Sequence, residues 1–113
     1  MKLYGEEHSE TLRKAGNYAI FLIDLKRFEE AKGVLRKAIP VAHRIHGTDH
    51  TRTLSLREDF ARATLYGGSS PEEKREALRM LEDTLGVIRR VLGAQHPETR
   101  RVQRELDRHQ EAA

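Results

Sequence analysis

The histidines are the residues whose type and spacing most readily suggest chemistry in this sequence. His43, His46 and His50 form an H-x2-H-x3-H pattern, and zinc commonly takes imidazole ligands. His50 also belongs to a short motif that recurs around His8 and His96, where no partner histidines stand at the same offsets. Recurrence of this kind indicates a packing or helix-capping role, so we expect no metal site and no cofactor.

Paired carboxylates are the second candidate for chemistry. Glu29/Glu30 and Glu72/Glu73 fall on expected helix surfaces or first turns, where acids favour the helix dipole. Catalysis instead requires a buried pair with perturbed pKa values. The sequence has no cysteine, and it lacks the patterns G-x-x-x-x-G-K-S/T, G-x-S-x-G and H-E-x-x-H, which carry phosphate binding and common hydrolytic chemistry. We therefore expect a protein that is not an enzyme.

Arginine is concentrated near the C-terminus and raises the alternative of nucleic-acid binding. The net charge is only +3, from 21 basic and 18 acidic residues, so the chain has no strongly basic balance. No aromatic side chains interleave with these arginines for base stacking. Nucleic acid is therefore the weaker alternative partner, and it would bind through Arg89, Arg90, Arg100, Arg101, Arg104 and Arg108.

Length and composition limit which folds the chain can adopt. With 113 residues, the chain is long enough for one domain with a modest core and too short for two. Charged residues make up 35% of the chain and proline is scarce, a balance that favours helices over strands. No apolar run has the length of a signal peptide or a membrane span. We expect a single all-α domain over residues 1–113, cytoplasmic and without a membrane partner.

A repeat with a period of 42 to 46 residues organises the chain. The pattern G-x-x-H-x-x-T begins at Gly5, Gly47 and Gly93. The four extra residues of the second unit fall in the Gly- and Ser-rich stretch 67–71, which is typical of a loop between helices. The predicted units are 5–46, 47–92 and a half-unit over 93–112.

Apolar residues within each unit recur at intervals of three and four, the spacing of amphipathic helices. Gly47 and Gly93 suit the left-handed residue that follows a helix end. Pro40 and Gly86 stand at matching places inside the long second helix of each unit, where we expect a bend. The sequence predicts five helices, near 9–25, 27–46, 50–66, 71–92 and 96–111.

Unit one combines the Gly/His/Thr motif with Asn17-Tyr18-Ala19 and Phe28-Glu29-Glu30-Ala31 at fixed offsets. In this order it resembles the tetratricopeptide repeat of kinesin light chains. The resemblance implies an all-α, right-handed α-α superhelix of two helix pairs with a C-terminal capping helix. It also implies a protein–protein interaction module that binds a peptide or partner protein in its concave groove. Asp107 replaces the small residue of the pattern, as suits a capping helix.

The resemblance also implies which side chains face the groove. In families with this repeat, these are the residue before the aromatic-Ala pair and those about one turn to either side. Asparagine there can donate and accept, so it can hold a peptide backbone, and arginine can bind acidic side chains. The implied peptide site comprises Arg13, Asn17, Ile20 and Asp24 in unit one, Ser55, Asp59, Arg62 and Tyr66 in unit two, and Arg101, Arg104, Glu105 and Arg108 in unit three.

The first helix carries six consecutive apolar residues, 18–23, which cover every face of the helix. Residues 3–5 match 45–47, so they are expected to be the tail of a preceding helix. An uncovered apolar helix indicates either a homodimer or neighbouring repeats of a longer parent chain. The alternative function is therefore structural self-assembly through this helix, carried by Tyr18, Ile20, Phe21 and Ile23.

Overall fold

The computed structural model describes residues 4–68 and 70–112, and that part of the chain is all-α, as predicted. Its helices are α1 (Tyr4–Asp24), α2 (Phe28–His46), α3 (Thr51–Tyr66), α4 (Pro71–Leu92) and α5 (Pro97–Ala112). The last four begin and end within one residue of the predicted bounds, and α2 and α4 continue through Pro40 and Gly86. None of the described helices has the length and apolar character needed to cross a membrane.

The start of α1 differs from the prediction. The repeat pattern predicts a linker at residues 5–8 and a helix from about residue 9, but α1 already begins at Tyr4. The expected helix tail over residues 3–5 is therefore wrong at residues 4 and 5, and residue 3 lies outside the described part.

The repeated motif ends one helix and starts the next. Gly47 and Gly93 have φ angles of 87° and 92°, and each donates its N–H to the carbonyl four residues earlier. The Nδ1 atoms of His50 and His96 then accept the N–H of the residue two positions on, at 3.0 and 3.1 Å. An acceptor there satisfies one of the amides left free at a helix start. The motif histidine is thus a capping residue in both later copies.

The end of α1 is a Schellman motif built on a lysine. Arg27 donates its N–H to the Leu22 carbonyl at 2.8 Å, and Lys26 donates its N–H to the Ile23 carbonyl at 2.9 Å. Lys26 has a φ angle of 63°, a left-handed conformation that costs an L-residue about 1–2 kcal/mol. One period later, Gly68 also has a positive φ, of 71°, so a left-handed residue recurs at this position although the residue type differs.

Each helix packs on the helices before and after it, and α1 also packs on α3. The buried residues of the described chain form three clusters that span neighbouring helices. In one of them, Leu81 of α4 and Val102 of α5 are fully buried. The molecule measures 50 × 32 × 21 Å. Two helix pairs and a final helix that share burial only with neighbours make up a stacked helical repeat.

Candidate functional site

The first helices of the units, α1, α3 and α5, lie in sequence along one side of the stack. α1 packs on α3, and α3 is joined to α5 by ion pairs and hydrogen bonds. Asn17, Asp59 and Glu105 stand at equivalent positions of these helices. We call the surface that carries these positions, and those one turn to either side, the groove face.

Between α3 and α5 the groove face is occupied by its own side chains. Tyr66 donates its hydroxyl hydrogen to Glu105 Oε1 at 2.8 Å, and Arg108 donates to the Tyr66 oxygen at 3.1 Å. Arg62 Nε lies 3.8 Å from Glu105 Oε1. Burial and the Glu105 hydrogen bond raise the pKa of Tyr66. The structure therefore brings these four predicted residues together, where they bind one another, along with His109, which the sequence did not indicate.

A buried acidic pair lies next to this network. Glu58 and Asp59 are 2% and 6% exposed. Arg101 donates to Glu58 at 2.8 Å and also pairs with Glu98. Burial raises the pKa of Asp59 to about 7, and the charge of Glu58 adds to the rise, whereas Arg62, 3.5 Å away, opposes it. Near neutral pH this carboxyl group is therefore close to half protonated.

The α1 part of the groove face is open. Asn17, Ile20 and Asp24 are exposed, and Ile20 keeps 42% of its surface accessible. Asn17 and Asp24 make no side-chain hydrogen bond or ion pair with any residue that the structure describes. Arg13 forms an ion pair within α1 at 3.3 Å, and Ser55 of α3 is exposed. Among the described residues, the groove-face side chains without partners are thus Asn17 and Asp24 on α1 and Ser55 on the adjoining α3.

Two predicted residues lie elsewhere. Arg104 lines a separate groove of about 330 Å³ with Arg89 and Arg100, rather than joining the network between α3 and α5. Ile23, predicted for self-association, is only 6% exposed because it packs into a core cluster with Ala63 of α3. Its assignment to an exposed surface is wrong.

The histidines of the H-x2-H-x3-H pattern make separate contacts. The ring of His46 stacks on that of His50 with 4.2 Å between centroids, whereas His43 Nε2 lies 2.7 Å from Thr48 Oγ1. Burial lowers the pKa of His50, and the neighbouring His46 charge adds to this, which favours the neutral form whose free ring nitrogen accepts the capping amide. Among the described residues, no three His, Asp or Glu side chains form a group suited to a metal.

The C-terminal arginines largely contact other side chains of the protein. Arg89 donates to Gln103 at 2.6 Å, and Arg90 lies 3.5 Å from Asp49. Arg101 and Arg108 belong to the contacts between α3 and α5 given above. The pairs with carboxylates neutralise part of the basic surface, so the geometry adds no support for nucleic-acid binding.

Comparison with known proteins gives one match. The family model described as the tetratricopeptide repeat matches residues 11–52 and 72–98, together more than half of the chain. No curated protein and no solved structure matches the chain at a significant level. The two matched segments contain most of α1, all of α2 and nearly all of α4, so the match falls on both helical units.

Proposed function

Because the chain belongs to the tetratricopeptide repeat family, we propose that it is a protein–protein interaction module that binds an extended peptide on its groove face. The observation that carries the proposal is the unequal pairing along that face. Asn17 and Asp24 on α1 are exposed and lack side-chain partners among the described residues, whereas the side chains between α3 and α5 pair with one another. A ligand therefore gains most by lying across α1 and the adjoining part of α3.

Asn17 suits the backbone of an extended peptide. Its amide group both donates and accepts, so one side chain can hold a peptide N–H and C=O whatever the peptide's sequence. It is the only asparagine of the chain, and it lies well inside the 21-residue α1, which holds it on a rigid element. Each net hydrogen bond of this kind contributes about 1 kcal/mol.

The neighbouring side chains support a ligand that carries an apolar residue beside a basic one. Ile20 and Tyr66 are 42% and 41% exposed and offer apolar contact. Asp24 offers a carboxylate without a partner among the described residues. Arg62 and Arg108 are already paired with Glu105; an acidic ligand would have to break these pairs. A basic ligand side chain meets no such cost at Asp24.

The proposal is tested with peptides selected by the full chain from a phage-displayed random library. Calorimetry on one selected peptide should show that Asn17→Ala weakens binding by about tenfold, which corresponds to about 1.4 kcal/mol. The melting temperature should not change, because the side chain is exposed. The matched control is Gln95→Ala, which removes an exposed amide in the turn between α4 and α5 and should leave the Kd unchanged.

Two results would count against the site. One is equal affinity of wild type and Asn17→Ala for every selected peptide. The other comes from NMR, in which the single asparagine side chain gives one assignable amide pair. Peptide binding that shifts the glutamine side-chain amides but leaves the Asn17 pair unmoved would place the ligand elsewhere.

A further inference from the structure

The side of unit one that is not covered by α3 is an apolar groove between α1 and α2, called here the end face. It encloses about 640 Å³, and its lining includes Leu12, Leu22, Val34, Ala38 and Val41. Next to it, three large side chains of the first unit, Tyr18, Phe21 and Leu25, are 50%, 56% and 50% exposed. Because they are spaced by three and four residues, they form one stripe. α1 packs mainly on α2 and α3, and since each of these side chains keeps at least half of its surface accessible, the stripe is open.

The second unit shows which part of the protein the equivalent stripe contacts. One period later the equivalent residues are Phe60, Ala63 and Gly67, and all three lie against unit one. The Arg36 guanidinium of α2 stands over the Phe60 ring, 5.6 Å from its centre. Ala63 is fully buried in a cluster with residues of α1 and α2. A Cβ atom added to Gly67 would come within 2.9 Å of Phe28 Cβ. The stripe is a stacking surface, covered in unit two and open in unit one.

The side chains of the stripe are too large for another repeat unit to pack on unit one in the way that unit one packs on unit two. Ala63 and Gly67 are small where the preceding unit approaches closely, whereas α1 and its C-terminal turn have Phe21 and Leu25 at the equivalent positions. At Gly67 even one additional carbon would be too close to Phe28, so Leu25 would collide with a unit at that distance. The end face therefore requires an occupant that stays further away and contributes large apolar side chains of its own.

We propose that this occupant is a second copy of the chain, packed end face to end face about a two-fold axis. With the α1 helices antiparallel and the axis between Tyr18 and Phe21, each Tyr18 lies opposite Phe21 of the second copy. On α2, Gly33 lines the same groove as Tyr18, so we place this glycine, which has open space around it, at the level of the axis. Glu30 and Lys37 lie at similar distances on either side of that glycine, so each Lys37 faces Glu30 of the second copy.

The charges and the size of the end face support this arrangement. Lys37 lines the groove and has no ion pair among the described residues. Glu30 is 51% exposed and pairs with Arg27 of its own chain at 2.7 Å, and its carboxylate has room to accept Lys37 of the second copy as a further donor. The 21-residue α1 is about 30 Å long at 1.5 Å per residue, and two helices packed about 10 Å apart present a face about 20 Å wide. The resulting flat area of roughly 600 Å² per chain approaches the roughly 800 Å² of accessible surface that each partner buries in a stable interface.

Sedimentation equilibrium of the full chain, from about 1 µM to about 1 mM, spans the relevant dissociation constants. The wild type should reach twice the monomer mass of 13.0 kDa. Phe21→Glu should weaken the dimer by about 100-fold or more, because two-fold symmetry places each change in the interface twice. The control Val91→Glu alters a 47% exposed valine of α4 and should leave the dimer unchanged. A wild type that stays at 13.0 kDa over the whole range, or equal weakening by both variants, overturns the proposal.

A charge exchange tests the register. Glu30→Lys and Lys37→Glu each place like charges opposite one another and should weaken the dimer by about tenfold, whereas the double variant restores opposite charges and should recover the wild-type constant. A double variant that dimerises more weakly than either single variant overturns the antiparallel arrangement. Thermal unfolding by circular dichroism confirms that each variant is folded. None of the substituted residues lies on the groove face, so the peptide site of each chain can be tested whether or not the chain dimerises.

Discussion

Asp59 gives the sharpest test of how the groove face is built. Asp59 is 6% exposed as a residue, and burial together with the charge of Glu58 raises the pKa of its carboxyl group to about 7 from the ordinary 3.8. Between these two pH values the folded chain holds a proton that the unfolded chain has released. Stability therefore falls as the pH rises from about 4 to 7, since deprotonation is easier in the unfolded state. Above pH 7 the folded protein carries the full cost of a buried carboxylate.

The size of that cost follows from the shift. The pKa of Asp59 is higher by roughly three in the folded chain than in the unfolded chain. At 1.36 kcal/mol per pKa unit, this sets an upper limit of about 4 kcal/mol on the cost of the buried charge. Asp59→Asn keeps the shape and removes the charge, so we expect it to raise the free energy of unfolding by about 2–4 kcal/mol at pH 8. At pH 4 the carboxyl group is protonated when folded, and the variant should differ from wild type by less than about 1 kcal/mol.

Urea denaturation followed by circular dichroism at pH 4, 6 and 8 gives the free energy of unfolding of wild type and variant. The contributions of other titrating groups cancel in the difference between the two proteins at each pH. The matched control is Asp83→Asn, at an exposed acid of α4 that has no ion pair among the described residues. It should change stability by no more than about 0.5 kcal/mol. A gain from Asp59→Asn that is the same at pH 4 and pH 8, or a loss at pH 8, refutes the reasoning.

Three further substitutions probe the helices and their contacts, and urea denaturation measures each. Lys26→Gly should raise stability by about 1 kcal/mol, because glycine adopts the left-handed φ of 63° without strain. Gly86→Ala should raise it by about 0.5–1 kcal/mol, since the site is inside α4 and a Cβ meets no atom within 4 Å. Arg101→Met should lower it by about 2 kcal/mol by leaving Glu58, 2% exposed, without its partner.

The expectations for Lys26 and Arg101 each have a control. Lys37→Gly removes a lysine from inside α2 and should destabilise by about 1 kcal/mol, so a similar loss at Lys26 would disprove strain there. Arg90→Met breaks an exposed pair with Asp49 and should cost less than about 1 kcal/mol. If Arg101→Met is no worse than Arg90→Met, Glu58 does not depend on its ion pair.

The boundary between α2 and α3 and that between α4 and α5 could be predicted because the repeated motif marks one helix end and the next helix start together. Gly47 terminates a helix at φ of 87°, and His50 caps the following one three residues later. The first copy of the motif has no such turn in the described residues, because the helix simply continues from Tyr4. The lysine at the end of α1 carries no turn signal of its own, and only its alignment with Gly68 points to the shared conformation.

The pairing on the groove face could not be predicted from sequence. Tyr66 and Glu105 are 39 residues apart, and their hydrogen bond depends on how α5 settles against α3. Glu58 gave no signal because an acid beside other polar residues of a helix is usually solvated, and its burial follows from the ion pair with Arg101. Tertiary packing likewise decides which of the predicted groove residues have side-chain partners, and Asn17 has none among the described residues.

The groove face and the end face divide α1 and its C-terminal turn between them. Residues 17, 20 and 24 carry the first, and residues 18, 21 and 25 carry the second, so the two stripes differ by one residue, or about 100° around the helix. If the two-fold axis lies in the plane of the end face and crosses α1 and α2, then α1 of one copy packs on α1 of the other, and α2 packs on α2. Both groove faces then point to the same side of the dimer. Two short grooves then join into one surface with the α1 helices at its centre, next to Asn17 of each copy. Because a ligand that spans both copies binds its second site as an intramolecular event, self-association would compensate for the small number of repeats in each chain.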